Sequence, residues 1–478
     1  MQKLNILIST PVGRTDGGEY IDYFPSRWSG SSGLYKVVSF YPYNLAYLSS
    51  YMKLRTSHNI KMIDPNFYGV DTEEYISIVK KHNPDIFVVE IDAIIEEKML
   101  FILNKIKILI PNITIIVCGP CPTANPKIFL NNSCDFVAIG EFEKSIVDLI
   151  LSNFDKNILG IYPNERTSLI ELDLLPFPEN KDINRRDYCR HYGSEFKEIE
   201  IFSTRGCPHM CNFCVIANVY ANKPSFRVRN VSSVIEEIKY LKSTIPDLEG
   251  LFFNEDSHTS NRAYIIKLLN AIIDNELNDL KYNCMTNYDT LDFELLELMK
   301  KAGYYKIRIG IETLDESISK FITKTKIKSN HSKLFEVLKY AKELDIKVYV
   351  TMSVGVRNST FEKDLLSLEQ LKLLYLEGYI QEFSVSMNTP MPGTPFYEEA
   401  LLNKWMVEDK SFNGSKTTTI EYPNYKASQI EYAYKKAVEL KSFINKNNIE
   451  NNVRYSMYDK EWCKPVYDVT NRKVGEQI

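Results

Sequence analysis

At 478 residues the chain has room for about three domains, and its 44% hydrophobic and 25% charged residues belong to a folded globular protein rather than a disordered one. A balance of 58 basic against 62 acidic residues, net charge −4, argues against the clustered basic surface of a nucleic-acid binder. No run of about twenty apolar residues is available to cross a membrane, and the opening MQKLNILIST is too short in apolar residues for a signal peptide.

The first 150 residues alternate strand and helix. Leu4–Ser9 predicts a strand, Tyr43–Leu54 a helix, and Lys61–Ile63, Ile86–Ile91 and Ile113–Cys118 brief β-branched strands, with a helix over Glu96–Leu109. Such alternation predicts a doubly wound parallel sheet, which binds ligands at the carboxyl ends of its strands. The segments there are Thr10-Pro11, Asp64-Pro65-Asn66, Gly119-Pro120 and Gly140-Glu141. Glycine and proline at such an edge let a ligand approach the backbone. Residues 151–196, with Pro176-Phe177-Pro178, lack periodicity and form a connecting segment.

A second alternation begins at Glu198. Strands are expected at Glu198–Thr204, Leu251–Asn254, Lys281–Thr286, Lys306–Ile311, Lys347–Val354 and Glu382–Met387. Between them, Ser233-Val-Ile-Glu236 has the form of a capping box, Gly303 stops a helix, and Leu365–Tyr375 is a helix whose leucines face the core. Six such units predict a partial barrel over 197–395. Residues 396–478 hold a Tyr-rich helix, Ser428–Asn445, then Tyr455, Tyr458, Trp462 and Cys463, and form a small helical cap. Those last aromatics either line a substrate pocket or fill a core.

Three of the nine cysteines, Cys207, Cys211 and Cys214, crowd into eight residues directly after the first barrel strand, while the other six are spread out. A secreted disulfide framework would be denser, so a reducing cytoplasm is expected. Cysteines at i, i+4 and i+7 in a tight loop can converge on one metal centre, and thiolate suits iron–sulfur clusters or zinc. Zinc would need a fourth ligand such as His209 or Cys189. Three thiolates on a four-iron cluster leave one iron open. Barrels place chemistry at this end of their strands.

The CxxxCxxC spacing, with Phe213 before the third cysteine, resembles the radical S-adenosylmethionine (SAM) superfamily. Asn254-Glu255-Asp256 is similar to the segment that holds the methionine amine of SAM in that family. Arg308-Ile-Gly310-Ile-Glu312, Val350–Gly355 and Pro390–Pro395 resemble its fourth strand, its fifth strand and the turn after the sixth. The resemblance implies a TIM-type (β/α)6 barrel that binds a [4Fe-4S] cluster on the three cysteines. SAM would contact Phe213, Asn254, Glu255, Asp256, Glu312 and Gly355. Reductive cleavage of SAM to a 5′-deoxyadenosyl radical would follow, with electrons from a donor such as flavodoxin or ferredoxin.

The preceding domain resembles the Rossmann-like cobalamin-binding domain of cobalamin-dependent radical SAM enzymes. The resemblance is carried by Tyr43–Leu48, Cys118–Thr123 and Ile139-Gly140-Glu141. It implies a corrin near Thr10, Asp64, Asn66, Gly69, Gly119, Pro120, Gly140 and Glu141. Many such domains have Asp-x-His-x-x-Gly, and here Asn66 takes the place of the cobalt-binding histidine in Asp64-Pro-Asn66-Phe-Tyr-Gly69. An amide is a poor ligand, so no protein nitrogen is expected on cobalt. Taken by itself, Asp64-Pro-Asn66 also forms a simple Asx turn. Glu90 and Asp92 stand where small hydroxyl residues are more common.

The resemblance therefore implies a cobalamin-dependent methyltransferase acting on an unactivated carbon of a small-molecule or peptide substrate. Alternatives are cyclisation, rearrangement or oxidation without methyl transfer, and a non-catalytic cobalamin- or cluster-binding regulatory protein.

Overall fold

The computed structural model describes residues 3–13, 40–68, 70–131, 134–188, 194–322, 331–407, 412 and 417–450. Gly69, Cys189, Tyr455, Tyr458, Trp462 and Cys463 lie outside the described residues.

The first domain runs β1 (Asn5–Ser9), α1 (Tyr43–Arg55), β2 (Asn59–Ile63), α2 (Thr72–His82), β3 (Ile86–Glu90), α3 (Glu96–Leu109) and β4 (Thr114–Cys118). The short helices α4 (Pro120–Ala124) and α5 (Pro126–Leu130) precede β5 (Phe136–Val137) and α6 (Glu143–Leu151). Every strand pair is parallel, in the order β2-β1-β3-β4-β5. The order reverses between β1 and β3, so the loops leaving those strands diverge and open a crevice at their carboxyl ends. Alternate residues serve the two faces. Leu7, Phe87, Val89 and Val117 meet α2 and α3, and Ile6, Ile8, Val88 and Ile116 meet α1 and α6. Helix α1 is buried on nearly every side, because Phe202, Ile216 and Tyr220 of the second domain join its cluster.

The connecting segment is packed. Ile161, Ile170, Leu172, Ile183 and Tyr188 are buried in that same cluster, and Lys53 of α1 pairs with Asp182 at 2.7 Å and with Glu179.

The second domain starts with β6 (Glu198–Ile201), β7 (Thr204–Arg205) and β8 (Arg227–Val228). It continues α7 (Val231–Thr244), β9 (Gly250–Phe253), α8 (Arg262–Asp274), β10 (Lys281–Thr286), α9 (Phe293–Lys301) and β11 (Tyr304–Glu312). Next come α10 (Glu316–Ile322), α11 (His331–Glu343), β12 (Lys347–Val354), α12 (Phe361–Leu376), β13 (Glu382–Met387), α13 (Pro395–Leu402) and α14 (Ala427–Glu450). Six strands form a parallel sheet in the order β13-β12-β11-β10-β9-β6, with its helices packed outside over Ile199, Leu251, Ile307, Val348 and Phe383.

The interior residues of alternate register are polar. Lys306, fully buried, pairs with Glu195 at 3.1 Å and Glu382 at 2.8 Å. Arg308 lies over the Phe252 and Tyr349 rings, 4.3 and 5.0 Å from their centres. These groups fill the barrel below its carboxyl-end mouth.

Both edges of the open barrel are covered. Along β13 lies α14, where Asn448 donates to the Gln381 carbonyl at 3.0 Å. At β6, Arg185 donates to the Glu200 carbonyl at 2.6 Å and Arg229 to the Phe202 carbonyl at 2.7 Å. Glu237 joins the two guanidinium groups at 2.7 and 2.5 Å. A free parallel edge is thereby supplied with donors that no strand provides.

Two local expectations change. The run expected as one strand, Glu198–Thr204, breaks at Phe202-Ser203, and β7 instead pairs antiparallel with β8 (Thr204 with Val228, Arg205 with Arg227). Helix α7 starts two residues before Ser233, because Asn230, an equally good cap, accepts from the Ser232 amide at 3.2 Å. Ser233 Oγ then accepts from Arg229 at 3.0 Å. Among the described residues no helix is long and apolar enough to cross a membrane.

Candidate active site

The cysteine loop leaves β7 through Gly206, whose φ of +86° lies in the left-handed region; a side chain there would strike the Ser225 carbonyl. The loop is closed by its own backbone. The Ser225 amide donates to the Cys207 carbonyl at 3.1 Å, and the Cys214 amide to the Cys211 carbonyl at 3.1 Å. Asn218 sits on the π-helical turn Ile216–Ala221 that follows. Its single amide nitrogen donates to the Cys211 carbonyl at 2.8 Å and the Cys214 carbonyl at 2.7 Å. The Asn212 amide donates to the Ile322 carbonyl at 3.0 Å, and the Phe396 amide to the Asn212 carbonyl at 3.1 Å, which pins the loop to α10 and α13. Phe213 packs against Ile318, Ile322 and Val356.

Cys211 is buried and Cys207 and Cys214 are half-buried. Burial pushes the Cys214 thiol well up, and the nearby Cys211 and Cys207 push it further. Three thiols crowded into one short loop are the donor set for a strongly cationic partner. Among the described residues no three His, Cys, Asp or Glu side chains converge on a single metal ion. A four-iron cluster takes one thiolate on each of three different irons, so its ligands need not meet at a point. The donor chemistry therefore fits such a cluster. His209, the candidate fourth zinc ligand, is buried with Nε2 4.0 Å from Asp289.

In the segment after β9, Asp256 accepts the Gly206 amide at 2.8 Å, tying this segment to the residue before Cys207. Glu255 is fully buried. It accepts the Thr204 amide at 3.0 Å, the Ser203 amide, the Thr204 hydroxyl and His258 Nδ1 at 2.9 Å. His258 Nε2 in turn meets the Tyr304 hydroxyl at 2.7 Å. Burial alone would raise the Glu255 carboxyl, but His258 and these donors hold it below its ordinary range. The Glu255 side chain thus fastens the start of the cysteine loop and does not face the mouth.

Glu312 adopts φ +56° at the end of β11 and accepts from Ser353 Oγ at 3.1 Å. Gly355 (φ +70°) donates to Asp364 at 2.7 Å, and its carbonyl accepts from Tyr422 at 3.0 Å.

In the first domain the side chains of three expected cofactor residues are spent internally. Asp64 accepts Thr10 Oγ1 at 2.6 Å, the Tyr188 hydroxyl at 2.8 Å and the Asn66 amide at 3.2 Å, so the Asx turn is present. Asn66 accepts the Gly13 amide and donates to the Pro11 carbonyl, both at 2.6 Å. Gly119 (φ +106°) lets β4 end against Glu90 and Ile91, and Pro120 opens α4. Gly140 lies where a side chain would strike the Tyr220 carbonyl of the second domain. Glu141 is ion-paired with Arg227.

The two domains meet mouth to edge. A small pocket is lined by Asn44, Glu141 and Glu143 from the first domain and Arg205, Gly206 and Asp256 from the second. Beside it, at the switch point of the sheet, Glu90 accepts from the Tyr220 hydroxyl at 2.9 Å and from Asn44 at 3.4 Å. Burial raises its carboxyl to about 7, with Asp92 and Glu143 adding to the rise against the two hydrogen bonds. Sequence reasoning missed Glu143, Arg205, Arg227, Asn218 and Tyr220. Only Glu90 carried a signal, as an acid at an unusual position.

A three-cysteine loop on the first strand of an open parallel barrel, faced by the ligand edge of a parallel α/β domain, defines an iron–sulfur barrel enzyme with an appended cofactor-type domain. Residues 201–368 match the family model of the Radical SAM superfamily. An uncharacterised methyltransferase of Pyrococcus horikoshii is 26% identical over 395 residues, 80% of this chain and 82% of that one. The radical SAM methyltransferase TsrM from Kitasatospora setae, solved with tryptophan and a SAM analogue, is similar at TM-score 0.64 and 15% identity, over 84% of this chain and 76% of that one. The cobalamin-dependent SAM radical enzyme OxsB is similar at TM-score 0.69 and 13% identity, over 93% and 67%. Residues 201–368 are thus similar to the Radical SAM superfamily, and over most of its length the chain shares the fold of the solved enzymes TsrM and OxsB.

Proposed function

We propose that this protein is a cobalamin-dependent radical SAM C-methyltransferase. The observation that carries the reading is the junction itself: Gly206, the residue before Cys207, and Asp256 share one pocket with Asn44, Glu141 and Glu143 at the carboxyl edge of the parallel domain. When bound, a [4Fe-4S] cluster with SAM supplies hydrogen abstraction from carbon, and cobalamin supplies the methyl group. The likeness to methyltransferases in both sequence and fold supports that outcome.

In this reading Cys207, Cys211 and Cys214 hold the cluster, and Asn218 keeps their loop in shape. Phe213, Asn254, Asp256, Glu312 and Gly355 are the SAM contacts, with Glu255 acting from behind through Thr204. The loops carrying Thr10, Gly119-Pro120 and Gly140 offer backbone to the corrin. The Asn66 amide is committed to Gly13 and Pro11, so it gives cobalt no ligand. The Lys306–Glu195–Glu382 set closes the barrel below the reacting centre and excludes water there. No acid–base side chain is required. The substrate is a small molecule or peptide, the electron donor a flavodoxin or ferredoxin, and the setting a reducing cytoplasm.

The test is anaerobic reconstitution with iron, sulfide and hydroxocobalamin, followed by turnover with methyl-labelled SAM and candidate acceptors. Labelled methyl carbon in the product supports the reading. SAM cleavage and substrate conversion without label transfer would instead indicate cyclisation or rearrangement. Failure to retain cobalamin would remove the methyltransferase reading and leave the barrel chemistry standing.

A further inference from the structure

The segments on either side of the cysteine loop are fastened to the first domain as well as to the barrel wall. On the entering side, Arg205, two residues before Cys207, is buried and meets Glu143 at 2.6 Å. On the leaving side, Arg227 meets Glu141, with one contact at 3.0 Å, and the Tyr220 hydroxyl reaches Glu90 at 2.9 Å. Arg205 and Arg227 are also directly paired in the β7–β8 ladder. The two guanidinium groups therefore leave one two-stranded ribbon and land on neighbouring carboxylates at the start of α6. Glu141 bridges them, lying 3.9 Å from Arg205 as well. Gly206 follows Arg205 directly, and its amide is held by Asp256. A shift of Arg205 would move Cys207 relative to the segment expected to hold SAM.

Buried ion pairs are costly to assemble and add little net stability, so stability alone does not account for the buried Arg205–Glu143 pair with the half-buried Arg227–Glu141 pair beside it. We infer that Glu143 and Glu141 are positioning residues for the cluster. Acting through Arg205 and Arg227, they set where the cysteine loop sits against Asp256, so that the first domain sets the geometry of SAM cleavage as well as binding its own cofactor. The inference rests on the radical SAM reading of the three cysteines.

The test uses the full chain, reconstituted anaerobically, with Glu143→Gln, Glu141→Gln and, as a control, Lys53→Met. The control breaks the α1–connector ion pairs with Glu179 and Asp182, loosening the packing of the first domain against the connector without touching the loop. The readouts are iron and sulfide per chain, the electron paramagnetic resonance signal of the reduced cluster with and without SAM, and KM for SAM and kcat of reductive cleavage. The expected result is near-normal iron in both carboxylate variants with an altered SAM-bound signal and cleavage slowed on the order of a hundredfold, the scale of a misplacement of about 1 Å. Lys53→Met should leave both unchanged.

Where Glu143→Gln fails to fold, Glu141→Gln, whose partner is less buried, decides alone. Wild-type signal and kinetics in the carboxylate variants would overturn the inference, and so would an equal change in Lys53→Met. If wild type itself assembles no cluster, the radical SAM reading fails instead, and the two failures are distinct.

Discussion

The triad at the barrel edge allows a worked prediction. Glu237 is fully buried between Arg185 and Arg229, whose side chains are 1% and 4% exposed. Glu237→Gln keeps the shape and one acceptor but leaves two buried cations without a counter-charge. Breaking a buried pair costs about 3–5 kcal/mol, and the retained acceptor places the expectation near the lower end. For a domain of this size the melting temperature should fall by roughly 6–12 °C. A second variant, Arg185→Met with Glu237→Leu and Arg229→Met, removes every charge at once. Such replacements are often neutral or stabilising when a buried ion set serves only itself. Here the arginines also serve the Glu200 and Phe202 carbonyls, and two buried acceptors left without donors cost about 1–3 kcal/mol each. The triple variant is therefore expected to stay about 2–6 kcal/mol below wild type. Urea unfolding of the cluster-free chain, followed by far-ultraviolet circular dichroism, measures both. A triple variant as stable as wild type would refute the idea that the guanidinium groups satisfy the edge of β6.

Three further outcomes follow from the site. The Glu90 carboxyl, lifted from 4.5 to about 7 by burial, keeps its proton in the folded chain between those values while the unfolded chain has lost it. Stability should therefore fall as pH rises through that window, by about 3 kcal/mol in full above pH 7 and by nothing below 4.5. Glu90→Gln should flatten this part of the melting-temperature profile; parallel profiles for the two proteins would refute the assignment. Asn218→Ala strips the Cys211 and Cys214 carbonyls of a shared donor, at about 1–3 kcal/mol of loop stability. Iron should be lost faster to a chelator, with the fold intact by circular dichroism. Gly206→Ala, forced into a left-handed conformation against the Ser225 carbonyl, should assemble little cluster, read as iron and sulfide per chain.

The sequence made some of this plain and hid the rest for physical reasons. β-branched runs and the 3.6-residue period located α3 to the residue and most barrel strands to within two, because those segments bury one continuous face. Phe136–Val137 is too short to show a period, so β5 was missed. Cysteine spacing is local and was readable. The ion pairs that seat the loop were not, since Arg205 and Glu143 lie 62 positions apart and nothing local connects them. Glu255 shows another limit: a segment can be recognised by its composition, yet only the partners Thr204 and His258 reveal that its middle side chain is spent on the start of the cysteine loop. Asp64 and Asn66 show the same limit. Their residue types allowed both a cofactor edge and an Asx turn, and only the partners Thr10, Tyr188, Pro11 and Gly13 reveal where the side chains point.

The cover on β6 bears on how such a chain can be inherited. Arg185 comes from the connector, and Glu141 and Glu143 come from the front domain, so the barrel borrows its edge and its loop footing from sequence that precedes it. A gene that exchanged the front domain for another of the same fold would keep the cover on β6 but leave Arg205 and Arg227 as two stranded cations. The pairing between front domain and barrel is thus written into a few acidic positions, and the two halves must change together.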